Sequence, residues 1–105
     1  MPRFMAIADT RRRESLQTMH ELSIALSLLD AIGDELPKLG DVRVLAARVR
    51  VGALSGVAPD ALSFAFDVAS ESSPIAGAQL AIEQTSGSEL ELVGLEVADV
   101  DPEDR

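Results

Sequence analysis

The chain has 105 residues, of which 47% are hydrophobic, so it is long enough for one domain with a single core and too short for two. Nine Lys and Arg residues against 18 Asp and Glu residues give a formal net charge of -9, which argues against nucleic acid or an anionic membrane as a partner. The absence of cysteine excludes disulfides and thiolate metal sites. The sequence contains no run of about 18 apolar residues, so it predicts no membrane span.

The first 18 residues differ in charge from the rest of the chain. They include four of the nine basic residues, Arg3 and the run Arg11-Arg12-Arg13. The run follows a short apolar stretch, which is the reverse of a secretory signal, so we predict no export and a cytoplasmic location. We expect residues 1–18 to be a disordered leader, or to precede a natural start at Met19.

Residues 22–36 have the spacing of an amphipathic helix. Apolar side chains recur there mostly in steps of three and four, which predicts one buried stripe. The stripe consists of Leu22, Ala25, Leu26, Leu29, Ile32 and Leu36. Pro37 is unsuited to continue a helix and Gly40 follows it, so we expect the helix to end at Leu36.

A strand and a second helix follow. The segment 42–51 is rich in β-branched residues, but Val42 and Val44 are out of phase with the alternation that begins at Leu45, which predicts either a bulge there or burial of both faces. Pro59 suits the first turn of a helix. The stripe of this second helix consists of Leu62, Ala65, Phe66 and Ala69.

Two strands, 78–84 and 90–97, complete the predicted fold. A change of phase at Val93 and Gly94 predicts a bulge in the second strand. The segment 85–88 between the strands is typical of a tight hairpin, and residues 98–105 are expected to form a frayed acidic tail. The order helix, strand, helix, strand, strand predicts a single α+β domain, with a small three-stranded sheet covered by two helices.

The clearest chemical signal is the sequence Met19-His20-Glu21 at the start of the first helix. His20 is the only histidine, so any imidazole chemistry must involve it. A single histidine at a helix start is, by itself, more often a surface or capping residue than a metal ligand. An enzyme is not expected, because Ser23 and Ser27 near His20 have no oxyanion site or orienting third group beside them.

Four motifs follow one another along the chain. They are Met-His-Glu-Leu-Ser-Ile-Ala at 19–25, Val-Gly-Ala-Leu-Ser-Gly-Val at 51–57, Pro-Asp-Ala-Leu-Ser-Phe-Ala-Phe-Asp at 59–67 and Leu-Glu-Leu-Val-Gly-Leu-Glu-Val at 90–97. Together they resemble the HypA family, the nickel chaperones of hydrogenase maturation. The resemblance implies a nickel-binding domain over residues 19–97 that passes Ni(II) to the hydrogenase large subunit with a HypB-type GTPase. A homodimer is left open.

The resemblance also implies the nickel ligands. In the family, the terminal amine, backbone nitrogens and the histidine of the Met-His-Glu motif hold the metal, and the corresponding residues are Met19, His20 and Glu21. Such nitrogen donors close small chelate rings in a plane, a geometry that Ni(II) accepts. The imidazole must be neutral, so binding should weaken in acid. If translation begins at Met1, Met19 contributes an amide in place of an amine, which weakens the site.

The sequence departs from the family pattern between the last two strands. The family normally carries a zinc module with two Cys-x-x-Cys pairs there, whereas this chain has only Ser86-Gly87-Ser88. A tetrathiolate zinc site cannot form without cysteine, so no zinc is expected. The alternative function is therefore a degenerate HypA-like protein-interaction domain that has kept the fold and no longer binds metal.

Overall fold

The computed structural model describes residues 2–7 and 21–100. These residues form two helices, α1 (Glu21–Leu39) and α2 (Pro59–Ser70), and four strands, β1 (Pro2–Ala6), β2 (Val42–Gly52), β3 (Gln79–Thr85) and β4 (Leu90–Asp99). The α+β class and the element order predicted from the first helix onward are confirmed. The sheet has four strands where three were predicted, because β1 adds a strand ahead of α1.

The four strands form one mixed sheet in the order β1–β4–β2–β3. The central strand β2 pairs antiparallel with β4 on one side and parallel with β3 on the other. The predicted hairpin over 85–88 is therefore wrong, because β3 and β4 are not neighbours. Their connection must instead cross the end of β2, a distance of about two strand spacings, or about 10 Å, which a few extended residues can span.

Gly52 allows this connection to pass over the end of β2. The backbone N–H of Gly52 donates to the Glu89 carbonyl at 2.7 Å, and that of Leu54 donates to the Gly87 carbonyl at 2.8 Å. A Cβ atom at Gly52 would meet the carbonyl oxygen of Gly87 and would come within 2.8 Å of the backbone nitrogen of Glu89. Any side chain at Gly52 would thus collide with backbone that hydrogen bonds hold in place.

The prediction of a disordered leader is wrong for residues 2–7. β1 pairs antiparallel with the outer edge of β4, from Pro2 opposite Ala98 to Ala6 opposite Gly94. The backbone N–H of Ile7 continues the pairing by donating to the Val93 carbonyl at 2.8 Å. Residues 8–18 of the predicted leader lie outside the described residues.

The Phe4 side chain lies on the face of the sheet opposite the helices. A Cβ atom at Gly94 would collide with its ring, so Gly94 provides the space for Phe4. The guanidinium carbon of Arg48 lies 4.6 Å from the ring centroid, and Arg48 Nη2 donates to Glu96 Oε1 at 2.6 Å. These contacts join β1 to β4 and β2 on this face.

Both predicted bulges are confirmed. The pairing of β2 with β4 shifts register between Val44 and Ala46, so Leu45 is the extra residue of β2, and it shifts again where Val93 is the extra residue of β4. The first shift places Val44 and Val49 on the same, buried face of β2. At the other end of β4, Ala98 and Asp99 belong to the strand and not to the predicted tail, whose residues 101–105 lie outside the described residues.

The core lies between the helices and the sheet. The stripe predicted for α2 is confirmed for Leu62, Ala65 and Phe66. Of the stripe predicted for α1, four residues lie in the core or pack against it, namely Ala25, Leu29, Ile32 and Leu36. The prediction is wrong for Leu22 and Leu26, which are 53% and 52% exposed. The core positions of α1 are occupied by Ile24, Ala25, Leu28 and Ile32.

α1 also continues through Pro37 to Leu39, beyond its predicted end. Proline removes one backbone hydrogen bond, to the carbonyl four residues earlier, and here that residue is the exposed Gly33. Leu39 packs against the core, which stabilises the last turn. None of the helices in residues 2–7 and 21–100 is both long and apolar enough to cross a membrane.

Candidate functional site

The predicted nickel motif lies where α1 begins. Glu21 is the first residue of the helix, whereas Met19 and His20 lie outside the described residues. The structure therefore fixes the position of one of the three predicted residues. The placement of the three side chains relative to one another stays a prediction.

Glu21 links the N-termini of the two helices. Its Oε2 atom accepts a hydrogen bond from the backbone N–H of Ala58 at 3.2 Å. Ala58 is the N-cap residue of α2 and has no side-chain oxygen with which to cap the helix. In a capping box, a Glu in the first turn bonds the N–H of its own N-cap residue. Glu21 supplies the same bond to α2 from the neighbouring helix.

The bond between Glu21 and Ala58 also shows how the helices are oriented. Their N-termini lie side by side, and each helix leads into one of two parallel strands, so α1 and α2 run in the same direction. The positive ends of both helix dipoles therefore meet at this edge of the domain. Such a position favours the Glu21 carboxylate and disfavours an uncompensated cation. A metal ion next to it needs donors that carry negative charge, such as deprotonated backbone amides.

The connection between β3 and β4 lies at the same end of the sheet. It is held by hydrogen bonds from Gly52, the last residue of β2, and from Leu54, in the loop that leads into α2. In this loop the Ser55 hydroxyl accepts a hydrogen bond from the backbone N–H of Val57 at 3.2 Å. The loop thus connects the segment 86–88, where the zinc module of the family would be inserted, to the N-terminus of α2 and so to Glu21.

Several charged side chains elsewhere in the described residues form pairs with one another. On the face of the sheet opposite the helices, Arg50 Nε lies 3.5 Å from Glu83 Oε2. At the β1 edge of the sheet, Arg3 Nη2 donates to Asp99 Oδ1 at 2.8 Å. This hydrogen bond, together with the positive charge of Arg3, lowers the pKa of Asp99. No group of three or more His, Cys, Asp or Glu residues within 2–7 and 21–100 is arranged to hold a metal ion.

The sequence reasoning identified Glu21 through its motif and did not foresee its contact with Ala58. The two residues are 37 positions apart, and their meeting depends on the parallel arrangement of the helices. One signal for it existed. The residue before Pro59 is an alanine, so the start of α2 requires an acceptor from elsewhere in the fold.

The comparisons with known proteins agree on one family. The family model described as "Hydrogenase/urease nickel incorporation, metallochaperone, hypA" matches residues 19–90, so the match begins at Met19. The chain is 51% identical over 69 residues to the hydrogenase maturation factor HypA of Deinococcus radiodurans, covering 66% of this chain and 58% of that protein. It is 52% identical over 67 residues to HypA of Solidesulfovibrio magneticus, covering 64% and 57%.

The chain is also 40% identical over 89 residues to HypA of Thermomicrobium roseum, a longer match that covers 77% of this chain and 68% of that protein. The chain spans just under three fifths of the length of the Deinococcus and Solidesulfovibrio relatives. The family model, however, covers well over half of the chain, from the Met-His-Glu motif through the connection after β3. The chain therefore belongs to the HypA family of nickel-incorporation metallochaperones.

Proposed function

We propose that this chain binds Ni(II) and delivers it during the maturation of a NiFe hydrogenase. Membership of the HypA family carries this proposal, because the matched region contains the whole Met-His-Glu motif, residues 19–21. The family is one of metallochaperones, so the chain is not an enzyme and the nickel ion is its cargo.

The proposed site uses nitrogen donors at the start of α1. His20 supplies the only imidazole of the chain, and Met19 and Glu21 supply backbone nitrogens on either side of it. Deprotonated amides bring negative charge to the metal, which offsets the positive helix ends at this edge. The Glu21 carboxylate supports the site indirectly, because its bond to Ala58 anchors Glu21, the last residue of the motif and the first residue of α1.

The proposed delivery involves a HypB-type GTPase and the hydrogenase large subunit, in the cytoplasm. The name of the relatives, hydrogenase maturation factor, supports hydrogenase as the destination. The experiment is to express the chain in cells that lack their own HypA and to measure hydrogenase activity at limiting nickel. We expect the unmodified chain to restore activity and His20→Ala to fail while folding normally. Equal restoration by both chains would contradict the proposed route through His20.

The free amine of Met19 is proposed to strengthen the site in a chain that begins there. A terminal amine is a better donor than the amide that replaces it when residues 1–18 precede the motif. A chain starting at Met19 should therefore bind Ni(II) more tightly than the 105-residue chain at the same pH and salt concentration. Since this truncation also removes β1, both chains must be shown to be folded at the temperature of the titration. Equal affinity would mean that the amine is not a ligand.

The second candidate is a HypA-like interaction domain that no longer binds metal. The absence of cysteine, and hence of the zinc ligands expected in the family, favours it. It predicts that the chain still supports maturation when His20 is replaced by alanine. The cell experiment above therefore separates the two functions.

A further inference from the structure

The outer surfaces of the two helices expose four large apolar side chains. On α1 they are Leu22 and Leu26, and on α2 they are Phe64 and Val68, which are 70% and 49% exposed. In each helix the two residues are four positions apart and therefore lie on the same flank, one turn from each other. Soluble proteins seldom expose clustered apolar groups of this size unless the cluster has a role.

The two flanks face each other across the contact between the helices. At about 100° per residue, Leu22 and Leu26 lie about 120–160° around α1 from the core-facing Leu28. Phe64 and Val68 lie at a similar angle from the core-facing Leu62 of α2, but the rotation around the helix axis is in the opposite direction. β2 and β3 are parallel and α2 connects them. Connections of this kind are right-handed almost without exception, and a right-handed one places α2 beside the flank of α1 that carries Leu22 and Leu26. Together the four side chains border one groove, which we call the helix crease.

The border of the helix crease is acidic. Asp60 and Asp67 of α2 and Glu71, the C-cap residue that follows it, are exposed. None of the three forms an ion pair with any residue in the described part of the chain. The only basic residue on either helix is Lys38, which lies 3.1 Å from Glu35. An apolar groove framed by unpaired carboxylates attracts a cationic partner and repels an anionic one.

We propose that the helix crease is a docking surface for a basic amphipathic helix of a partner protein. Such a helix would place apolar side chains between α1 and α2 and Lys or Arg beside the acidic border, which is the helix-in-groove mode of recognition. A second copy of this chain fits poorly, because a symmetric contact would bring two acidic borders together. None of the four crease residues belongs to the Met19-His20-Glu21 motif, so the proposal is independent of nickel binding.

The test uses two synthetic helical peptides that share an apolar face and carry either Lys or Glu at its borders. Each is titrated against the 105-residue chain, with fluorescence anisotropy as the readout, at low and high salt. We expect the Lys peptide to bind, with an affinity that falls as the salt concentration rises, and the Glu peptide not to bind. Replacing both Leu26 and Phe64 by serine should weaken binding by about tenfold or more. Phe4→Ser, on the opposite face of the sheet, is the matched control and should leave the affinity unchanged.

Three results would overturn the proposal. The first is equal binding of the two peptides, and the second is unchanged affinity in the Leu26→Ser, Phe64→Ser variant. The third is self-association of the unmodified chain that is lost in this variant, because a second copy of the chain would then be the occupant. If the variant melts earlier than the unmodified chain, charge reversal tests the same surface without loss of packing. Asp67→Lys combined with Glu71→Lys should then weaken binding of the Lys peptide, and unchanged affinity would refute the docking surface.

Discussion

Replacing Gly94 by alanine should detach β1 from the sheet. Gly94 lies opposite Ala6, and a Cβ atom there would meet the Phe4 ring and come within 2.5 Å of the Met5 carbonyl oxygen. β4 cannot move away, because its other edge is paired with β2 along most of its length. β1 is an edge strand with one neighbour, so releasing it is the easiest way to relieve the collision.

The contribution of β1 to stability limits the cost of this substitution. Phe4 is 42% exposed, and Met5 and Ile7 are partly buried against the core. Half-burying three such side chains stabilises the fold by about 3 kcal/mol in total, before the entropy of ordering the strand is subtracted. We therefore expect Gly94→Ala to lower the free energy of unfolding by about 2 kcal/mol, within the usual range for overpacking. For a domain of this size the midpoint of thermal unfolding should fall by about 10 °C.

A thermodynamic cycle tests this explanation. Denaturant unfolding is measured for the 105-residue chain and for a chain lacking residues 1–7, each with and without Gly94→Ala. In the shorter chain the substitution should cost nothing, or stabilise slightly, because alanine is better than glycine within a strand. Gly52→Ala is the matched control, since it collides with the backbone of Gly87 and should destabilise both chains. If Gly94→Ala were equally damaging with and without β1, the reasoning would be refuted.

Three further predictions concern the capping bond, the edge ion pair and zinc. Glu21→Gln keeps an oxygen that can accept the Ala58 N–H and loses only the negative charge next to the helix ends, so it should lower stability less than Glu21→Ala. Glu21→Ala should lower the free energy of unfolding by about 1 kcal/mol, and identical unfolding of the two variants would exclude the capping role. Because Arg3 lowers the pKa of Asp99, their contact stabilises the fold above pH 3.8, the ordinary Asp value, and its contribution is lost as the pH falls through the lowered pKa. Asp99→Asn should consequently destabilise the chain at pH 7 and not in strong acid, and an equal loss at both would contradict this linkage. Elemental analysis of the purified chain should find no stoichiometric zinc, and a zinc ion that resists dialysis would show that ligands other than thiolates suffice.

The parts of the fold that could be predicted are those that local patterns specify. The bulges at Leu45 and Val93 followed from a change of apolar phase, which only an extra residue can reconcile with a single buried face. The phase of α1 could not be predicted in the same way. Leu22 and Leu26 have the same spacing as Ile24 and Leu28, so only packing against the sheet and α2 decides which pair is buried.

Strand pairing was harder to predict because it depends on contacts distant in sequence. The short segment after Thr85 is compatible with a hairpin, and nothing within it shows that β2 lies between the strands that it joins. Gly52 was the available signal, since a glycine at the end of a strand often marks a close approach of other backbone. At the candidate site, the family motif identified Met19, His20 and Glu21, whereas the bond from Ala58 to Glu21 depends on two helices that only the fold brings together.

Nickel titration of the 105-residue chain and its His20→Ala variant tests the central claim most directly. Both chains should be prepared without a histidine tag and compared at neutral pH, with thermal unfolding as the control for folding. The proposed site predicts stoichiometric Ni(II) binding that is lost in the variant at an unchanged unfolding midpoint. It also predicts that binding by the unmodified chain weakens in acid, because the metal needs the neutral form of the imidazole. Undiminished nickel affinity in His20→Ala would contradict the account.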